Sequence, residues 1–66
     1  MQINVNGKSR NIAAGLTIAG LLEELNLDPR RVAVEHNRNI ALRDEFNRIT
    51  LTEGDTLEIV QFVGGG

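Results

Sequence analysis

The sequence predicts an α+β domain in which one helix lies on one face of a mixed sheet of four to five strands. Two observations carry that prediction. Several short segments alternate apolar and polar residues with the period of a half-buried strand, while a single stretch, 17–25, changes to helical spacing. The helical stretch supplies one apolar stripe, which balances one inward sheet face, and two such layers suit a chain of 66 residues.

Gln2-Ile3-Asn4-Val5-Asn6 alternates and reads as the first strand. Asn6-Gly7 supplies the two positive φ angles of a type I′ hairpin turn. Lys8 to Ile12 is then the returning strand, weakly apolar and therefore placed at an edge, with Ile12 as its core residue. In the next segment Ile18, Leu21, Leu22 and Leu25 fall at i, i+3, i+4 and i+7, one face of a helix. Thr17 suits its N-cap, Asn26 suits a left-handed end, and Pro29 blocks continuation. Gly20 costs about 0.5–1 kcal/mol against Ala, so the helix must lean on tertiary packing.

Arg31 to Glu35 reads as a strand, Asn37-Arg38-Asn39 as a turn, and Ile40 to Leu42 as a short return. Asp44-Glu45-Phe46 suits a single helical turn, Ile49 and Leu51 alternate, and Glu53-Gly54-Asp55 punctuates the chain. The last strand, Thr56 to Phe62, runs into Val63 and three glycines. The expected inward set is Ile3, Val5, Ile12, Val32, Val34, Leu57 and Ile59. The domain is drawn over 1–62, with 63–66 as a flexible tail.

Composition excludes several classes of function. Without cysteine, disulfides, thiolate metal sites and cysteine catalysis are ruled out. A net charge of −2 with interspersed signs, and two Phe as the only aromatic residues, give neither the basic footprint nor the stacking platforms of nucleic-acid binding. No apolar run approaches the ~20 residues of a membrane span, and a cytoplasmic location is expected.

Read together, Val5-Asn6-Gly7, Leu16-Thr17, Leu21-Leu22-Glu23-Glu24-Leu25, Leu27 to Glu35, Gly54-Asp55, Glu58-Ile59-Val60 and Phe62-Val63-Gly64-Gly65-Gly66 resemble the sulfur carrier family of thiamine biosynthesis. The resemblance spans the chain in register and implies the ubiquitin-like β-grasp fold. Asn26 and Arg38 stand where many members have glycine, and Phe46 where Trp is frequent. The resemblance further implies a co-substrate that is not itself an enzyme and binds no cofactor. A ubiquitin-activating-type adenylyltransferase would use ATP to convert the Gly66 carboxylate into an acyl-adenylate. A desulfurase system would supply the sulfur that makes it a thiocarboxylate, and a thiazole synthase would take that sulfur for the thiazole of thiamine.

The residues suit this chemistry. A carboxylate is a poor acyl donor until its oxygen becomes a leaving group, so a partner must activate it. Glycine lacks a Cβ, so Gly64, Gly65 and Gly66 can thread a narrow channel, and four extended residues reach roughly 13–14 Å. Strand alternation turns Val60 and Phe62 away from the helix, beside Ala33 and next to Val63, as an expected partner-binding patch.

Other candidates carry less. His36 is the only histidine and reads as a solvated strand-end residue. Glu23-Glu24 and Asp44-Glu45 are neighbours that do not face each other on a helix and read as solvated surface. Arg30-Arg31 suits an acidic partner or a plain charged loop equally. Ser9 and the threonines lack a base and its orienting group. Two other functions stay open at this point: a sulfur carrier of the molybdopterin synthase small-subunit type, and a ubiquitin-like interaction module or protein tag.

Overall fold

The computed structural model describes residues 1–63. Its five strands are β1 (Gln2–Val5), β2 (Lys8–Asn11), β3 (Val32–His36), β4 (Asn39–Ala41) and β5 (Thr56–Gln61), with one helix, α1 (Ile18–Glu24), between β2 and β3. Single 3₁₀ turns occupy Pro29–Arg31 and Arg43–Glu45. The spatial order is β2-β1-β5-β3-β4, with β5 parallel to β1 and antiparallel to β3. The last strand in sequence is thus the central strand in space, and β2 lies at an edge as its polar composition predicts.

Both hairpins turn through adjacent left-handed residues. Asn6 (φ 52°) and Gly7 (φ 83°) join β1 to β2, and Asn37 (φ 50°) with Arg38 (φ 72°) joins β3 to β4. The second pair meets the type I′ requirement with two non-glycine residues, so Arg38 holds a conformation that favours glycine.

Helix α1 starts where Thr17 Oγ1 accepts a hydrogen bond from the Gly20 N–H at 3.1 Å. Two other free amides of its first turn are taken by a distant segment: Ile18 N–H donates to Ile49 O and Ala19 N–H to Phe46 O. At the other end Asn26 is left-handed (φ 58°). Leu27 N–H reaches Leu22 O and Asn26 N–H reaches Glu23 O, the paired bonds of a Schellman cap. A Cβ at Gly20 would lie 2.6 Å from Leu16 Cδ1, so the bare Cα gives Leu16 room to pack over the helix.

The core lies between α1 and the sheet. Ile18, Leu21 and Leu22 meet Ile3, Ile12, Val32, Val34, Leu57 and Ile59, with Ala41, Phe46 and Leu51 closing the end near the helix N-terminus. The expected inward set holds except that Val5, and Leu25 on the helix stripe, are only half-buried. Both sit at the helix C-terminal end, where α1 is too short to cover the sheet. Phe46 is buried where the segment 42–51 folds across the start of α1, a placement that local pattern does not reveal. Among the described residues no helix is long and apolar enough to cross a membrane.

Candidate functional site: the end of the central strand

Strand β5 is held on both sides almost to its end. On one side Val32 pairs with Gln61 and Ala33 with Val60, and the Phe62 N–H donates to Arg31 O at 2.7 Å. On the other side β1 turns away after Val5, and the Asn6 side chain replaces the missing strand. Its Oδ1 accepts from Ile59 N–H at 2.7 Å and its Nδ2 donates to Ile59 O at 3.1 Å. Asn6 therefore both turns the hairpin and clamps the strand that leads to the glycines, although its sequence signal speaks only of a turn. The bond from Phe62 is the last one toward the C-terminus among the described residues. Gly64, Gly65 and Gly66, the expected threading and reactive positions, lie outside the described residues.

Period-two alternation decides what surrounds this exit. Leu57 and Ile59 are buried against the helix, and Val60 (59% exposed), Phe62 (58%) and Val63 (85%) stand free. Ala33 is the cross-strand partner of Val60 and is also exposed. The structure thus places Ala33, Val60 and Phe62 on the exposed side, with Val63 exposed next in sequence, and Phe62 does not tuck into the core edge. It adds two that were assigned only to a short return strand. Ile40 pairs with Glu35 on this outer face, and Leu42 follows one register step beyond the Val34–Ala41 pair, bringing it level with Ala33. Both are more than half exposed. A face with several large exposed aliphatic and aromatic side chains is the kind that marks a partner surface.

The other end of β5 is fixed by a polar cluster. Asp55 is 7% exposed, and its carboxylate accepts four hydrogen bonds. They come from His36 Nε2 (2.9 Å), Asn37 Nδ2 (3.0 Å), Thr52 N–H (2.9 Å) and Thr52 Oγ1 (3.0 Å). A carboxylate only accepts, so the proton sits on His36 Nε2. Burial by itself pushes the Asp55 carboxyl up, but the donors from His36, Asn37 and Thr52 together outweigh it and hold the carboxyl well below the usual range. Asn37 Oδ1 also accepts from the Thr56 N–H at 2.9 Å, tying the β3–β4 turn to the start of β5. His36 is therefore half-buried and bonded, not solvated as its position at a strand end suggests.

This cluster has no catalytic geometry. The carboxylate sits between His36 and Thr52, so the imidazole orients no nucleophile, and Thr52 Oγ1 is spent on Asp55. Elsewhere, Glu45 accepts from Leu42 N–H at 2.9 Å and closes the 3₁₀ turn, and Glu24 approaches Arg10 at 3.7 Å, so neither acidic pair is purely solvated. Arg30 is held by Asp28, which caps the turn before β3 and has its carboxyl lowered by that guanidinium's hydrogen bond. Among the described residues no group of three or more His, Asp or Glu could hold a metal ion.

A single helix cradled by a mixed sheet, with a central last strand leading to the glycines, defines a ubiquitin-like β-grasp domain. The ThiS family model matches residues 3–66, and the chain belongs to the ThiS family. It is 32% identical over 66 residues to the sulfur carrier protein ThiS of Escherichia coli (strain K12), covering all of both chains. It is 40% identical over 50 residues to the sulfur carrier protein ThiS of Bacillus subtilis (strain 168), covering 76% of each. The crystal structure of the thiamine biosynthesis protein (ThiS) from Geobacter metallireducens superposes with a TM-score of 0.84 at 35% identity, covering 100% of both chains. A thiazole synthase of Paramagnetospirillum magneticum is 44% identical over the whole of this chain, which spans 20% of that protein's length.

Proposed function

We propose that this domain is a sulfur carrier of thiamine biosynthesis, acting as a co-substrate through the carboxylate of Gly66. The observation that carries the reading is the family match over residues 3–66, which includes the glycines, on a fold whose central strand lies just before them in sequence. A partner adenylyltransferase joins the carboxylate to the α-phosphate of ATP and releases pyrophosphate. A persulfide of a desulfurase system then displaces AMP to give an acyl disulfide, and a partner thiol attacks the outer sulfur of that disulfide, leaving the terminal thiocarboxylate on Gly66 and a disulfide on the partner side. The carrier supplies no catalytic group; it presents one acyl carbon on an arm without side chains. The thiocarboxylate then hands its sulfur to a thiazole synthase. That synthase is supported as a partner because a region similar to this whole chain makes up a fifth of a relative named thiazole synthase. The reading requires Gly66 to present a free carboxylate, and it places 63–66 outside the folded body.

The apolar face of Val60, Phe62, Val63 and Ala33, extended by Ile40 and Leu42, is proposed as the surface gripped by the loading enzyme. A cysteine-free chain fits the reducing cytoplasm. Incubation with the activating enzyme, ATP and a sulfur source, followed by intact-mass analysis, tests the reading. Exchange of one oxygen for sulfur, mapped to Gly66 and absent when Gly66 is deleted, is expected. Absence of any adenylate or thiocarboxylate with an enzyme that loads another ThiS protein refutes it.

A further inference from the structure

A second surface, on the opposite side of the sheet from the apolar patch, is not used by this chemistry. Ile3 pairs with Arg10 and Val5 with Lys8, so Lys8 and Arg10 project toward the helix side of the sheet. Helix α1 does not extend over them. Between β2 and the C-terminal end of α1 an open groove of 580 Å³ remains. Its apolar lining is Val5, Leu25, Leu27 and Ile59, and Lys8 and Arg10 stand on its outer wall. Among the described residues Arg10 Nε is buried there without a hydrogen-bond partner, and Glu24, at 3.7 Å, is the one carboxylate paired with this guanidinium.

The backbone of β2 adds a second kind of recognition. Met1 and Ile12 exchange both backbone bonds, Ile12 N–H to Met1 O at 2.8 Å and the Met1 amino group to Ile12 O at 3.0 Å. Antiparallel pairs alternate between bonded and non-bonded. The Ile3–Arg10 and Val5–Lys8 pairs are therefore bonded, and the N–H and C=O groups of Ser9 and Asn11 point away from β1. Among the described residues no strand lies beyond β2 in the sheet. The edge thus offers free donors and acceptors directly beside an apolar groove with a cationic wall.

We propose that this groove binds an extended partner segment of alternating aliphatic residues flanked by carboxylates, which adds to β2 as a sixth strand of the sheet. Main-chain bonds at Ser9 and Asn11 would fix its register, aliphatic side chains would fill the space over Val5 and Leu25, and a carboxylate would satisfy Lys8 and Arg10. The Gln61 side of the groove lies two residues before Val63, so such a segment would tether a partner beside the tail exit. The proposal does not depend on the sulfur-carrier reading.

The probe is a synthetic peptide of alternating Val and Ile followed by a run of Glu, titrated into the intact domain labelled with ¹⁵N. Amide shifts are expected at Ser9, Arg10, Asn11, Leu25 and Leu27. The K8E/R10E variant should weaken binding about tenfold or more, and the peptide with Lys in place of Glu should not bind. S9P removes an outward N–H without breaking a bond to β1 and should also weaken binding, with amide dispersion showing that each variant is folded. Shifts confined to the Ala33 and Val60 face, undiminished binding to K8E/R10E, or equal binding by a peptide of Glu alone would each overturn the proposal. So would the absence of shifts at millimolar peptide.

Discussion

Replacing Asp55 by Ala removes the acceptor on which four hydrogen bonds converge. A bond to a charged group is worth about 1.5–3 kcal/mol, but the four do not add, because exposed Asn37 and Thr52 can turn to water. Counting one to two such bonds as unreplaced gives a loss of about 1.5–6 kcal/mol. A domain of 66 residues has only about 3–10 kcal/mol in total, so D55A should be close to unfolding at ambient temperature. Urea unfolding followed by circular dichroism measures this, and D55N, which keeps the shape and one acceptor, should fall between D55A and the parent.

The pH dependence sharpens the test. The folded-state pKa of Asp55 is depressed, so its contribution is fully present above the unfolded carboxylate value of about 3.9. It declines as pH falls below that value and is lost on passing the folded one. The stability gap between parent and D55N should therefore narrow progressively as pH falls below about 4. A gap that stays constant into strong acid, or a D55A loss under about 1 kcal/mol at neutral pH, would refute the assignment of this carboxylate as the anchor of β5.

Other outcomes follow from single residues. Arg38→Gly relieves a left-handed residue (φ 72°) at an exposed turn and should stabilise by about 0.5–1 kcal/mol in the same urea assay. Asn6→Gly keeps the turn but removes both bonds to Ile59, which should cost about 1–2 kcal/mol. It should also speed amide exchange at Ile59 more than at Val34. Phe46→Ala empties a buried site beneath α1 and should cost about 3–5 kcal/mol, with loss of the cooperative melt. Val60→Glu with Phe62→Glu should leave the melting temperature within a few degrees while sharply raising the KM that the proposed activating enzyme shows for this domain; an unchanged KM would remove that face from the proposed loading contact.

Much of the architecture is written locally. The Asn6-Gly7 turn, the Thr17 cap, the stripe of Ile18, Leu21 and Leu22, and the left-handed Asn26 each depend on neighbours a few residues away, so the chain alone determines the hairpin, the helix and its two ends. Alternation along Thr56–Gln61 likewise settles which of its side chains face outward. The tertiary structure decided what depends on residues far apart in sequence. It made the last strand central and gave Asn6 its second task 53 residues away. It turned His36 from a solvated end into a donor to Asp55, and buried Phe46 by laying its segment over the free amides of α1. It also left α1 too short to cover β2, which opens the groove at Arg10. Periodicity reports which face a residue takes within its own element; the neighbour that covers that face is set by long-range packing. The glycines of the tail belong to the first kind of information. The central place of the strand that precedes them, and the two surfaces beside its end, belong to the second.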